Sequence, residues 1–202
     1  MRILGLDEAG RGSVIGPLVV GAFCFEGDQA ALRAAGANDS KVLTAGKRAG
    51  ARSRLQLLGV GRTTAISPAQ IDDANVNELE IAAFLEHVAQ FRPDRVYLDA
   101  PVAPRGVPAL TARLVVASGV RDWVVEPKAD ATYPVVGAAS IFAKLCRDEA
   151  VDNLDGVGSG YPSDPVTRAH LLGFIRSGAP LPSYVRSRWA TLDNLRQQGL
   201  FG

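Results

Sequence analysis

Near its start the chain reads LGLDEAGRG, residues 4–12, an apolar run that ends on two adjacent carboxylates, Asp7 and Glu8, and passes at once into Gly10-Arg11-Gly12. A second apolar run, VYL, ends on Asp99, and a further acid, Asp130, lies in KADATYP between a strand-like and a helix-like segment. In open sheets with parallel strands, ligand sites favour the carboxyl ends of strands, where successive loops diverge and leave a crevice. Carboxylates gathered in one crevice repel each other and lose hydration, so they need protons or cations. Hard oxygen donors, in a chain with no paired cysteines and only two histidines, select Mg²⁺ or Mn²⁺ over zinc. Four acids can hold two such ions. A pair of divalent ions clamps the attacking and leaving oxygens of a phosphoryl displacement without any side-chain nucleophile, which points to nuclease chemistry.

Consecutive residues of an ideal strand face opposite ways, so the spacing predicts a twist or a strand end between Asp7 and Glu8. The glycines that follow supply backbone freedom, and they let main-chain N–H groups approach a sugar or a phosphate closely. Two other classes of function compete at this point. One is a hybrid-binding module without catalysis; the other is a phosphohydrolase in which Asp7 is the transiently phosphorylated nucleophile. His87 and His170 each lie in a helical stretch with no activating motif beside them, so a surface or supporting role is expected rather than acid–base catalysis. Cys24 and Cys146 have no CxxC partner and read as small apolar residues.

The elements that must carry these residues follow from periodicity and turn chemistry. Residues 2–8 and 17–25 read as strands with turn glycines between them, 44–58 and 77–91 as helices, and 59–66 as a short strand. Leu79, Phe84, Leu85 and Val88 are the expected inward stripe of the second helix. RVYLDA (95–100), a helix at 107–118 and DWVVEP (122–127) form a strand, helix, strand unit and predict a parallel pair with a right-handed crossover. Pro134 opens a helix to about residue 152, Asp164-Pro165 cap and open another, and 186–198 form the last. The fold class is α/β: a single domain over residues 1–202 with a helical C-terminal part from about 153 to 202.

With 202 residues, 47% hydrophobic and 21% charged, the chain has the composition of one soluble globular core. No apolar run approaches the roughly 20 residues that a membrane span requires. Met1 leads directly into a strand-like segment, so a cytoplasmic protein is expected. The net charge of +1 makes no global case for nucleic acid, but the charge is segregated. Between Ser40 and Ile71 no acid occurs, while Lys41, Lys47, Arg48, Arg52, Arg54 and Arg62 do.

GLDEAGRGSVIGPLVVGA, DSKVLT (39–44), VYLDAP (96–101), KADATYPVVGAASIFAKLCRD (128–148), GSGYPSDPVT (158–167) and VRSRWATL (185–192) together resemble ribonuclease HII, the type 2 ribonuclease H. GSGYPSDP and the acid of KADA are similar to the archaeal and eukaryotic branch of that family. The resemblance implies a ribonuclease H-like fold with a five-stranded mixed sheet flanked by helices. It implies endonucleolytic cleavage of RNA in RNA–DNA hybrids, and nicking at single ribonucleotides embedded in duplex DNA, with 3′-hydroxyl and 5′-phosphate products. On the matching positions, Asp7, Glu8, Asp99 and Asp130 become the metal-binding catalytic acids of a monomer, and Tyr161 senses the ribose at the RNA-to-DNA junction. In DSKVLT, Val42 stands where Lys is common, which removes one positive charge and touches no ligand.

Telling RNA from DNA requires sensing a 2′-hydroxyl, which both donates and accepts; the Gly10-Arg11-Gly12 backbone can do both. On the helix from 134, Ser140, Lys144 and Arg147 share one face and are candidates for a phosphate track. Lys41, the basic stretch after it, Arg186 and Arg188 are further candidates for the duplex backbone. Gln197, Leu200 and Phe201 in the tail are similar to the glutamine-plus-hydrophobic motif with which some archaeal relatives bind a sliding clamp.

Overall fold

The computed structural model describes residues 1–37 and 44–200, the side chains of 45 and 198–200 excepted. Its strands are β1 (Arg2–Ala9), β2 (Leu18–Glu26), β3 (Val60–Ile66), β4 (Arg95–Asp99) and β5 (Asp122–Glu126). The helices are α1 (Gln29–Ala34), α2 (Ala45–Leu55), α3 (Pro68–Asp73), α4 (Val76–Phe91), α5 (Val107–Ser118), α6 (Ala129–Thr132), α7 (Pro134–Asp152), α8 (Pro165–Ser177) and α9 (Ala190–Leu200). Among the described residues no helix is long and apolar enough to cross a membrane. DSKVL, with Lys41 and Val42, lies outside the described residues.

The sheet is mixed, in the order β3-β2-β1-β4-β5, with β1 parallel to β4 and β4 parallel to β5. The strand, helix, strand unit of β4, α5 and β5 therefore carries the expected parallel pair. Leu6 pairs with Leu98, so Asp7 and Asp99 come next on neighbouring parallel strands at their carboxyl ends. β2 is buried at every position except Glu26, as a strand covered on both faces must be. α7 lies close on the sheet because two strand glycines leave room for its backbone. A Cβ on Gly5 would sit 2.1 Å from the Val135 carbonyl oxygen, and one on Gly21 would sit 2.3 Å from that of Ala139. Val135, Val136, Ala138, Ala139, Ile141 and Phe142 then pack with Ile3, Phe23, Phe25 and Tyr97 in one core.

The chain divides into two compact units, each drawn from separate segments. The first is Met1–Ala9, Val20–Thr64 and Glu80–Leu145, which holds the sheet; the second is Gly10–Val19, Ala65–Leu79 and Cys146–Gly202. The second unit has its own core of Val14, Ile15, Val151, Val157, Leu171, Val185, Leu192 and Leu195, with Ile15 and Val185 bridged as an antiparallel pair.

Several expected boundaries move. Helix 44–58 stops at Leu55, and Leu57 beyond it is 85% exposed. The last helix begins at Ala190 rather than 186, since residues 185–189 are tied in turns to Val14 and Pro182. The buried stripe of α4 is Ile81, Ala83, Phe84, His87 and Val88, while Leu79 and Leu85 are only half-buried. Helices α1, α3 and α6 were not expected at all. α1 is capped by Asp28, and α3 carries a full capping box between Ser67 and Gln70.

Candidate active site

β1 continues through Asp7 and Glu8 to Ala9, so of the expected twist or strand end between the two acids, the end does not occur. Asp7 is buried at 5% exposure and Glu8 is half-buried. Asp7, Asp99 and Asp130 each offer a carboxylate oxygen within 4.8 Å of the others; Glu8 is not in that group. Asp130 comes not from an open loop but from α6. That short helix starts after Lys128, whose φ of 61° is left-handed, and the Ala129 N–H donates to Asp99 Oδ1 at 3.2 Å. The end of β4 thus anchors the turn that presents Asp130.

Asp7 is held from two sides, by the Ser140 side chain on α7 and by the Glu8 N–H, which donates to Asp7 Oδ1 at 2.8 Å. Its carboxyl is pushed from its ordinary 3.8 up to about 7. Burial is the main cause; the charges of Asp99 and Asp130 add to it, and the hydrogen bonds from Ser140 and Glu8 oppose it. Three convergent hard oxygen donors, Asp7 and Asp130 buried and Asp99 half-buried, with Asp7 resisting ionisation for want of a compensating charge, fit a divalent cation such as Mg²⁺ or Mn²⁺. Among the described residues no other cluster of histidine, cysteine and carboxylate ligands converges in this way.

In the second unit, Gly10 has a φ of +83°, and a Cβ there would lie 2.6 Å from the Pro17 carbonyl oxygen. Around Gly12 a Cβ would meet nothing within 4 Å. Arg186 is fully buried and binds this loop, with Nη2 donating to Gly10 O at 2.7 Å, Nη1 to Arg11 O at 2.9 Å and Nε to Gly16 O at 3.1 Å. Its guanidinium also lies over the Trp189 ring, 4.8 Å from the centroid. The Tyr161 segment is fastened to the chain just after the loop: Val14 and Ile15 N–H both donate to Gly160 O, at 2.8 and 3.1 Å. The Arg147 guanidinium lies 4.6 Å from the Tyr161 ring centroid and donates to Ser159 O. Asp164, the expected cap of α8, also accepts from Ser159 N–H at 2.5 Å, and backbone donors hold its carboxyl down to about 2.

Two expected phosphate contacts are thereby corrected. Arg147, at 2% exposure, and Arg186, at 0%, present no charge at the surface: Arg147 donates to Ser159 O and, from Nη1 at 3.2 Å, to Asp148 Oδ1, while Arg186 spends its donors on the carbonyls of Gly10, Arg11 and Gly16. Ser140 is buried on Asp7, and Lys144 is half-buried. On α2, Lys47, Arg52 and Arg54 are exposed, whereas Arg48 is buried. His87 is buried, not at the surface: it pairs with the Thr64 hydroxyl at 3.2 Å, and burial lowers its pKa. His170 bonds the Tyr184 hydroxyl at 3.0 Å. The Thr167 hydroxyl joins Gly160 N–H to Val157 O, a role for which a threonine early in a helix carries no sequence signal.

The sequence profile of the family described as Ribonuclease HII matches residues 4–192. A ribonuclease HII from Archaeoglobus fulgidus is 40% identical over 206 residues, covering 97% of each chain. The crystal structure of the ribonuclease H2 from Pyrococcus horikoshii OT3 superposes with a TM-score of 0.88 at 34% identity, covering all of both chains. The ribonuclease HII in the PCNA:RNase HII complex from Archaeoglobus fulgidus superposes equally well, with a TM-score of 0.88 at 37% identity over 96% of this chain and 97% of that one.

Proposed function

The chain belongs to the ribonuclease HII family, metal-dependent endoribonucleases that act on RNA–DNA hybrids, and on that premise we propose its substrates and the work of its residues. It hydrolyses the RNA strand of hybrids and nicks on the 5′ side of ribonucleotides embedded in duplex DNA, leaving 3′-hydroxyl and 5′-phosphate ends. The observation that carries this reading is the convergence of Asp7, Asp99 and Asp130 within 4.8 Å at the carboxyl ends of parallel strands. Together with Glu8 they would hold two divalent ions. When bound there, Mg²⁺ or Mn²⁺ supplies water acidified toward neutral pH and neutralises charge on the phosphate.

The remaining work falls to the chain itself. Ser140 and the Glu8 N–H orient the Asp7 carboxylate, and Asp99 fixes α6 and with it Asp130. Gly12 leaves its main chain open for close approach to a ribose, while the half-buried Tyr161 offers its ring and hydroxyl to the RNA-to-DNA junction. Exposed Lys47, Arg52 and Arg54, with Lys41, supply charge for the duplex backbone without reading its sequence. Similarity to a ribonuclease HII seen in complex with PCNA supports a sliding clamp as partner, met by the tail that carries Gln197.

The purified protein is expected to nick a duplex containing one ribonucleotide, in Mg²⁺ or Mn²⁺, and to leave an all-DNA control intact. Asp130→Asn should slow cleavage by about 100-fold or more, because each ~1.4 kcal/mol of lost transition-state stabilisation is tenfold. A parent protein that cuts neither substrate in either metal overturns the reading.

A further inference from the structure

The junction between α3 and α4, with Asp72 on one side and Asn77 on the other, holds the Gly10-Arg11-Gly12 loop in two independent ways. Asp72 Oδ2 accepts from the Ser187 N–H at 2.6 Å and from its hydroxyl at 2.8 Å, and Oδ1 accepts from the Arg188 N–H at 3.2 Å. The Asp72 carbonyl also accepts from Arg188 Nη1 at 2.9 Å. These bonds fix the two residues that directly follow Arg186, and Arg186 is the buried cation that grips the carbonyls of Gly10, Arg11 and Gly16. The second hold is on the side chain of Arg11, whose Nη2 donates to Asn77 Oδ1 at 2.5 Å. Asn77 is itself set by its N–H, which donates to Asn75 Oδ1 at 2.9 Å. The main chain of the loop is thus pinned through Asp72 and Arg186, and its one long side chain through Asn77.

We propose that Asp72 and Asn77 are positioning residues for ribose recognition, fixing the Gly10-Arg11-Gly12 loop in the conformation that meets the 2′-hydroxyl side of the substrate. This rests on the reading of that loop as the ribose contact. Neither residue touches substrate in this account; they act through Arg186 and Arg11. Asn77 is exposed, so replacing it leaves no buried group unsatisfied and should not unfold the protein.

The test compares the parent, Asn77→Leu, Asn77→Asp and Asp72→Asn on a duplex with one embedded ribonucleotide, alongside amide hydrogen exchange of the substrate-free proteins. Asn77→Leu should lower kcat by about tenfold with little change in KM, since small misplacements of reacting groups are costly in rate. Asn77→Asp, which keeps the acceptor, should restore kcat to within about twofold of the parent. Asp72→Asn places a donor against the Ser187 N–H and should show the same split with a larger loss. In both impaired variants the amides of residues 10–13 should exchange faster while those of α7 do not. Parental kcat together with parental loop exchange in Asn77→Leu overturns the inference, as does a loss that Asn77→Asp fails to restore. A parent that cuts no ribonucleotide while loop exchange still responds overturns the ribose reading alone and supports the fixing of the loop.

Discussion

Gly10 and Gly12 stand two positions apart and are glycine for different reasons. Gly10 is demanded by the fold, for its φ of +83° and the Pro17 carbonyl both exclude a side chain. Gly12 is demanded by nothing within the chain, because its missing Cβ would sit in open space. On the reading of this loop as the ribose contact, the open space at Gly12 is where the sugar comes close. Gly12→Ala should therefore melt within about 2 °C of the parent, as exposed substitutions do. Its cleavage of an embedded ribonucleotide should fall tenfold or more, since a methyl group that displaces the sugar by roughly 1 Å is enough. Parallel melting curves and nicking rates check both halves, and parental nicking by Gly12→Ala would remove the close-approach argument. The sequence named both glycines but not this distinction, which depends on what lies across from each of them.

At the scale of elements, the placement of α7 decides whether the acids are served. Its residues Val135 and Ala139 rest with their carbonyls against Gly5 and Gly21, and the residue that follows Ala139 is Ser140, which bonds Asp7. A Cβ at either glycine would force the helix outward, because backbone cannot yield as a flexible side chain does. Gly21→Ala should cost on the order of 1–3 kcal/mol in urea unfolding, and it should weaken Mn²⁺ binding by moving Ser140 away from Asp7. Long elements such as β2, α4, α5 and α7 were legible in the sequence because their periodicity or caps run over several turns. Helices α1, α3 and α6 were not: six or four residues carry too little periodicity to separate from a loop. The acids at the strand ends were legible for the same reason as the strands. The inward turning of Arg147 and Arg186 was not, because the carbonyls they satisfy come from loops remote in the chain.

For the molecule as a whole, a net charge of +1 leaves both substrate attraction and ion binding to local groups, and the acids impose a pH dependence on folding. Asp7 titrates near 7 in the folded protein against an ordinary 3.8, first because it is buried and then because Asp99 and Asp130 face it. The folded state therefore keeps a proton that the unfolded chain releases above about pH 4, and linkage gives the direction. The contribution of this group is fully present below pH 4, declines as pH rises toward 7, and is flat above. Three units at ~1.4 kcal/mol each set an upper bound of about 4 kcal/mol; sharing of protons among the coupled acids brings the expectation nearer 2 kcal/mol. In EDTA, Asp7→Asn should accordingly be more stable than the parent at pH 8 and little different at pH 4. Divalent cations reverse the order, since an ion bound only by the folded state stabilises it in proportion to RT ln(1 + [L]/Kd). Millimolar Mn²⁺ should raise the parent's melting temperature at pH 8, raise it less at pH 5 where protons compete for the same oxygens, and leave Asp7→Asn nearly unmoved. Thermal scans of both proteins at the three pH values, with and without Mn²⁺, decide the matter: a parent as stable at pH 8 in EDTA as its Asp7→Asn variant, and indifferent to the ion, would mean that the buried carboxylates do not form a cation site.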